Sequence, residues 1–150
     1  MTSEEDRAAV EALLGRPVQG AFEVVVRHED GSPVVLVNHP FLDDGTPMPT
    51  RYWLVGEPER TMVSRLEADG GVRRVEAELD PDILALAHRR YAVERDAAIP
   101  ADHLGPRPSG GVGGTRVGVK CLHAHYAWYL AGGDDPVGAW VAGQLARPDR

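Results

Sequence analysis

The apolar residues of this chain change their spacing once, near residue 57, and that change predicts the fold class. Before it, apolar and polar residues alternate, as at Phe22 and Val24, which is typical of a strand with one buried face. Two such runs flank the turn sequence Glu29-Asp30-Gly31-Ser32, which predicts a β-hairpin. A helix capped by Ser3 is expected to precede them. After residue 57 the spacing becomes helical. We therefore predict an α+β fold, in which a small antiparallel sheet of about three strands, from the N-terminal half, packs against a mostly helical C-terminal half.

Turn and capping residues divide the second half of the chain into helices. Gly70-Gly71 predicts the end of one helix, and Asp80-Pro81 predicts the start of the next. Residues 101–115 are rich in Gly and Pro and are interpreted as an ordered loop or lid. A helix from about Gly118 to Ala131 is expected to follow, and Pro136 begins a last short helix. The inward face of the helix after Pro81 is predicted to hold Ile83, Leu84, Ala87 and Tyr91.

The composition predicts one domain spanning residues 1–150 and excludes several classes of partner. The chain has 150 residues, of which 43% are hydrophobic, enough to bury a core. Its net charge of −7 argues against nucleic acid, because phosphate contacts need clustered Lys and Arg. No apolar stretch approaches the ~20 residues of a membrane span, and the acidic N-terminus lacks a signal-peptide pattern. With one cysteine and therefore no internal disulfide, the protein is expected to be cytoplasmic, with neither nucleic acid nor membrane as partner.

The single lysine and the single cysteine of the chain are neighbours, Lys120 and Cys121. Of the 16 basic residues the other 15 are Arg, so Lys occurs at one position only. Lys is a compact charge whose pKa can be tuned, whereas Arg is a flat fork that stays protonated. Two of the six histidines follow at once, His123 and His125. This cluster is the part of the sequence that points most clearly to a functional site.

On a continuous helix from about residue 118, the cluster would divide into two pairs. At 100° per residue, Cys121 and His125 share one face, and Lys120 and His123 lie on another. The i, i+4 spacing of Cys121 and His125 is that of two metal ligands on one helix, and His28 is the candidate third ligand of a zinc site.

Two other interpretations of Cys121 stay open. In the first, Lys120, Cys121 and His123 are catalytic, since a nearby cation and a helix N-terminus lower the pKa of a thiol, and His125 could act as a base. In the second, Cys121 is a packing residue beside Trp128, because free cysteines are among the most buried residue types.

The glycine-rich segment 109–116, which precedes the cluster, indicates an anion site. Glycines free backbone N–H groups to converge on an anion, and the start of a helix adds positive charge. A Walker motif is absent, because Val119 separates Gly118 from Lys120. The candidates for binding a small, phosphate-like anion are Gly113, Gly114, Arg116 and Arg51.

Several blocks of the chain have a familiar pattern: Leu14-Gly-Arg-Pro, Asp44-Gly-Thr-Pro-Met-Pro-Thr-Arg-Tyr-Trp-Leu, Ser64-Arg-Leu-Glu, Gly111-Val-Gly-Gly, Val119-Lys-Cys-Leu-His-Ala-His-Tyr-Ala and Ala131-Gly-Gly-Asp-Asp-Pro-Val-Gly. Together they resemble a bacterial, largely actinobacterial, family of unknown function, numbered 501. The resemblance covers nearly the whole chain and implies no established activity. The resemblance implies that Lys120, Cys121 and His123, which match its most specific block, are the core of a site.

This chain departs from that family at three positions. Members often have cysteine where this chain has His28, another near Gly56, and histidine where Trp128 stands. If those positions formed a metal site in the family, this chain would keep only part of it.

Two classes of function therefore remain. One is a small-anion site formed by residues 110–116 with Lys120, His123 and Arg51. The same site could also be catalytic. The other is a non-enzymatic structural or partner-binding protein, including a homo-oligomer. A Cys/His zinc site is a separate, further alternative. The anion hypothesis requires Lys120 and His123 to line a solvent-reachable cavity beside the glycine loop. If both are buried and an apolar patch is exposed elsewhere, the partner hypothesis is favoured.

Overall fold

The computed structural model describes residues 2–147 and confirms the α+β architecture. In chain order, its helices and strands are α1 (Glu4–Leu14), β1 (Gly20–Arg27), β2 (Pro33–Leu42), β3 (Tyr52–Leu54), α2 (Glu59–Ala68), α3 (Gly71–Glu78), α4 (Pro81–Asp96), α5 (Leu122–Leu130) and α6 (Pro136–Leu145). A 3₁₀ turn, Val112–Gly114, lies between α4 and α5. Within the described range, every helix is too short or too polar to cross a membrane.

Several helix ends follow from capping chemistry. Ser3 accepts a hydrogen bond from the N–H of Asp6 and begins α1, and Gly15, with φ +74°, ends it. Asp80 and Asp135 cap α4 and α6 in the same way, and a proline occupies the first turn of both helices. These boundaries could be predicted because caps are local.

The sheet is an antiparallel hairpin extended by one short strand, in the order β1-β2-β3. Phe22 of β1 pairs with Asn38 of β2, and Val35 of β2 pairs with Leu54 of β3. The central strand is covered on both faces. On one side Leu36 packs with residues of α1 and β1, and on the other Val35 and Leu54 join the large core formed with α2 to α6. The sheet is thus a middle layer between α1 and the other helices.

Two features of the helices differ from the sequence prediction. The helix predicted to end at Gly70-Gly71 does end there, at Ala68, but α3, which begins directly after Gly70 with its φ of +84°, has no counterpart in the sequence prediction. Ile83 is 47% exposed, and the prediction that it faces inward is wrong. The buried row of α4 includes polar residues in place of it.

Helix α5 starts later than predicted. Gly118 has φ +68°, a left-handed conformation that stops a helix, and Cys121 is extended at φ −155°. Cys121 is therefore the N-cap of α5 and not a residue within it. The helical-wheel argument that paired Cys121 with His125 does not apply.

Helix α4 holds the glycine loop through His88, which is 3% exposed. Its Nε2 donates to the carbonyl of Gly118 at 2.8 Å, and its Nδ1 accepts the N–H of Val112 at 3.1 Å. Gly111 lies against the base of the His88 side chain, where an added Cβ would come within 2.4 Å of the His88 Cβ. Burial lowers the pKa of His88, so the neutral imidazole is the form that makes both bonds.

Two further buried side chains of α4 bind the segment that leads into β3. The hydroxyl of Tyr91 accepts the N–H groups of both Arg51 and Tyr52. One turn further, the guanidinium of Arg95, 1% exposed, donates to the carbonyl of Pro49 at 3.1 Å and to that of Gly110 at 3.0 Å. The polar row of α4 thus connects β3 to the glycine loop.

Tyr91→Phe is expected to destabilise the protein by about 1–3 kcal/mol, because it leaves two buried N–H groups without their acceptor. Urea unfolding followed by circular dichroism would measure this. Tyr129→Phe, on an exposed position of α5, is the control and should change the unfolding free energy by about 0.5 kcal/mol or less. Equal effects of the two variants would contradict the role of the Tyr91 hydroxyl.

His88 should remain neutral, with its proton on Nε2, at pH values where exposed histidines are protonated. Its folded pKa lies below the ordinary value of 6.5, so the unfolded chain binds more protons in this window. The contribution of His88 to stability is therefore present above pH 6.5 and is lost as pH falls below it. Long-range ¹H–¹⁵N correlation spectra across a pH titration would report the tautomer. An imidazolium signal for His88 at pH 6.5 would contradict the prediction.

Candidate functional site

A cavity of about 430 Å³ opens between β3, α2 and the N-terminal end of α5. Its lining residues are Leu14, Arg16, Thr50, Tyr52, Trp53, Leu54, Arg60, Ser64, Gly113, Lys120, Cys121, His123 and Ala124. Three of them are basic, Arg16, Arg60 and Lys120, and none of these described lining residues is acidic. We call it the cationic cavity.

A larger cavity, of about 530 Å³, lies elsewhere, against β1 and β2. Its lining mixes Glu23 with Arg7 and Arg51, is mostly apolar and contains no cysteine. Size alone would favour this cavity, but the residue types capable of chemistry are gathered in the cationic cavity.

Cys121 lies at the floor of the cationic cavity as the N-cap of α5, and it is half-buried. Burial by itself would raise the pKa of its thiol. Hydrogen bonds from His123 and from the backbone N–H of Ala124 outweigh burial and hold that pKa below its ordinary value. The sulfur is thus placed where a thiolate is stabilised.

His123 is held by side chains of α2. Its Nδ1 lies 3.2 Å from Oε2 of Glu67, and its Nε2 lies 3.1 Å from Oγ of Ser64. The hydrogen bond with Cys121 raises the pKa of His123, burial opposes this, and the charge of Glu67 adds to the rise. The imidazole is therefore fixed in orientation on both of its nitrogens.

Glu67 links the C-terminal end of α2 to the start of α5. Its Oε2 accepts the N–H of Leu122, the first residue of α5, at 2.6 Å. Because the first turn of a helix leaves N–H groups without partners, a carboxylate there is favourable. One donor atom from each of Glu67, Cys121 and His123 lies within 4.8 Å of the other two, a group able to hold a metal ion.

Lys120 passes over the glycine loop before it reaches the cavity. A Cβ added to Gly113 would come within 3.2 Å of Cδ of Lys120, and Gly113 has φ +65°. The three predicted catalytic residues, Lys120, Cys121 and His123, line one cavity, so the expectation that Lys120 and His123 lie on a different side from Cys121 is wrong. The reason is the extended backbone at Cys121, which turns its side chain toward His123. Their catalytic role stays a prediction.

Of the four predicted anion ligands, only Gly113 lines the cationic cavity. Gly114 lies against the ring of Pro49, and Arg116 lines a different cavity, near Leu84. Arg51 is paired with a carboxylate of α4, through Nε at 3.0 Å. These three residues do not come together as the sequence suggested.

The glycine loop is not an open nest of N–H groups. Four of its N–H groups donate within the protein: Gly111 to Thr115, Val112 to His88, Gly114 to Gly111 and Thr115 to Val112. The contribution of the loop is steric: Gly113 has no side chain, and this leaves space for the side chain of Lys120.

The predicted metal ligands Cys121, His125 and His28 do not meet, and this prediction is corrected. His125 is fully buried, with Nδ1 donating to Oδ2 of Asp135 at 2.7 Å. His28 contacts Glu59 through Nε2 at 2.9 Å. In the part of the chain that the structure describes, the one set of three or more such residues close enough for a metal is that of Glu67, Cys121 and His123.

Sequence reasoning missed four residues of the site: Arg16, Arg60, Ser64 and Glu67. The last three recur at i, i+4 and i+7, which places them on one face of α2. This polar row was a usable signal, because the block Ser64-Arg-Leu-Glu was already visible. Arg16 follows α1 in a turn and belongs to the block Leu14-Gly-Arg-Pro, which by itself does not indicate a binding role.

Comparison with known proteins yields one match. The model of a family described as "Protein of unknown function (DUF501)" matches residues 24–143. This range contains both α2 and the start of α5, and so all residues that line the cationic cavity except Leu14 and Arg16. No curated protein and no solved structure matches the chain.

Glu67→Ala is expected to destabilise the protein by about 1–3 kcal/mol, since it removes the acceptor of the Leu122 N–H and the partner of His123. Denaturant unfolding would measure the loss. The control is Glu29→Ala, at an exposed position in the hairpin turn, which should stay within about 0.5 kcal/mol of the unsubstituted protein. If both variants unfold at the same denaturant concentration, the link between α2 and α5 contributes nothing to stability.

Proposed function

The chain belongs to the DUF501 family of proteins of unknown function, and we propose that its cationic cavity binds a small anion of the phosphate or carboxylate type. The observation that carries this proposal is the distribution of charge. The chain has 23 acidic and 16 basic residues, yet Arg16, Arg60 and Lys120 meet on a cavity lining without an acidic residue. Cations gathered in a cleft concentrate the electric field and attract anions.

Two of the three cations, Arg60 and Arg16, have contacts that order them before a ligand binds. Arg60 donates from Nη1 to the carbonyl of Leu13 at 3.0 Å, and this hydrogen bond positions its guanidinium. A guanidinium has further N–H donors that can bind a ligand. The guanidinium of Arg16 lies 5.3 Å from the centre of the Trp53 ring. Lys120 adds a compact, movable ammonium. Side chains that are ordered before binding lose less entropy when a ligand arrives.

The alternative class, a purely structural or partner-binding protein, is less well supported. It is favoured when Lys120 and His123 are buried, but Lys120 is exposed, and the side chain of His123 is 25% exposed. Both line the cavity beside Gly113, which the anion hypothesis requires. Homo-oligomerisation or a protein partner stays a prediction. The anion would lie above Cys121 and His123, so catalysis there also stays a prediction.

Lys120→Arg is expected to leave the fold intact and to weaken stabilisation by phosphate. A ligand present at about ten times its Kd stabilises a protein by about 1.4 kcal/mol, and this raises Tm by a few degrees. The Lys120 stem is closely packed over Gly113, so the larger guanidinium should displace the charge from its place. Thermal unfolding with and without millimolar phosphate, and with chloride at equal ionic strength, would measure the shift.

Arg89→Lys, at an exposed position of α4, is the matched control and should show the same phosphate shift as the unsubstituted protein. Lys120→Ala should show the smallest shift. If the unsubstituted protein gains no more from phosphate than from chloride, or if Lys120→Ala keeps the full shift, the anion site is wrong.

A further inference from the structure

We propose that Glu67, Cys121 and His123 bind a divalent transition metal ion, with zinc as the best fit, and that an open coordination position faces the cationic cavity. Metal binding by itself is independent of the proposed anion site. The inference rests on that proposed function only in its last step, in which the anion occupies the open position.

The spacing of the three donor atoms suits one metal ion. In tetrahedral zinc sites with thiolate, imidazole and carboxylate ligands, neighbouring donor atoms lie about 3.3–3.8 Å apart, given the usual bond lengths. Nδ1 of His123 and Oε2 of Glu67 are 3.2 Å apart, and one donor atom from each residue of the group lies within 4.8 Å of the others. The donor atoms whose separation is nearer the 4.8 Å limit would have to approach by up to about an ångström to reach the tetrahedral spacing.

Two of the three donors, those of His123 and Glu67, are also held by a bond that metal binding would leave in place. Nε2 of His123 is 3.1 Å from Oγ of Ser64, so a proton on Nε2 can be donated there and the Nδ1 lone pair then faces Glu67. Metal-binding histidines usually have such a partner on the second nitrogen. Oε2 of Glu67 accepts the N–H of Leu122 at 2.6 Å.

The donor types select the metal. A thiolate and an imidazole favour zinc and related transition metals, whereas magnesium and calcium prefer oxygen ligands alone. Three protein ligands leave one tetrahedral position, the arrangement of catalytic rather than structural zinc sites. Cys121 and His123 line the cationic cavity and Glu67 does not, so the open position is on the cavity side. An anion bound there would contact the metal and be held by Lys120 and Arg60.

The chain offers a matched control for this site. His28 has a similar set of neighbours without a thiol: Nδ1 lies 2.8 Å from Oγ of Ser32, and Nε2 lies 2.9 Å from Oε2 of Glu59. The His28→Gln variant therefore tests whether a histidine between a serine and a glutamate is sufficient to bind the metal without a thiol. It also tests the ligand set that the sequence first suggested.

The experiment uses the full-length protein, purified without chelators, with zinc measured by mass spectrometry and cobalt(II) titrated into chelator-treated protein. We expect about one equivalent of zinc per chain, and a near-ultraviolet sulfur-to-cobalt charge-transfer band. Cys121→Ser should remove the band, and Glu67→Gln should weaken cobalt binding by at least about tenfold, a lower bound for loss of a ligand. His28→Gln should bind as the unsubstituted protein does. Circular dichroism checks folding, and if Cys121→Ser does not fold, Glu67→Gln decides.

Absence of both zinc and the cobalt band from the unsubstituted protein would overturn the metal site, as would an equal loss of binding in His28→Gln. Phosphate stabilisation separates the two proposals. If chelator-treated protein is still stabilised by phosphate but binds no cobalt, the metal inference fails and the anion site stands. If cobalt binds through Cys121 and phosphate has no effect with or without metal, the anion site fails and the metal inference stands.

Discussion

The buried polar row of α4 is the constraint on which the arrangement of this protein depends. His88, Tyr91 and Arg95 each place polar atoms in the core, and such atoms are costly unless they find partners. Their partners are backbone groups of β3 and of the glycine loop, two segments with few regular hydrogen bonds of their own. Because one helix satisfies both segments, β3 and the loop are held in a fixed relation, and the cationic cavity lies between them.

The site itself is formed where two helix ends meet. The C-terminal end of α2 carries Glu67, and the N-terminal end of α5 carries Cys121 and His123. The N-terminus of a helix favours negative charge, so both a carboxylate and a thiolate are stabilised there. The cations of the cavity are thus close to the sulfur of Cys121, the imidazole nitrogens of His123 and the carboxylate of Glu67, which can share a proton and which we propose bind a metal. The same network that stabilises the contact between α2 and α5 thus also sets the chemistry available in the cavity.

The fold class was predictable because its signals are local. The hairpin turn, the caps at Ser3, Asp80 and Asp135, and the change from alternating to helical spacing all lie within a few residues of what they specify. The errors arose where a local signal had two outcomes. Gly70-Gly71 correctly marks the end of α2, but such a pair can be followed by a loop or by a second helix, and here α3 follows. An apolar residue such as Ile83 can remain exposed when polar residues occupy the buried face.

For the site, the sequence by itself determined that the unusual residues Lys120, Cys121 and His123 lie close together, because they are neighbours in the chain. Only the tertiary structure decided their partners. Ser64 and Glu67 reach His123 from more than fifty residues away, while the predicted partners His125, His28, Arg51 and Arg116 are engaged or placed elsewhere. The physical reason is the start of α5. The left-handed Gly118 and the extended Cys121 delay the helix and change which side chains share a face, and the contacts of Ser64 and Glu67 with this segment exist only once α2 packs against it.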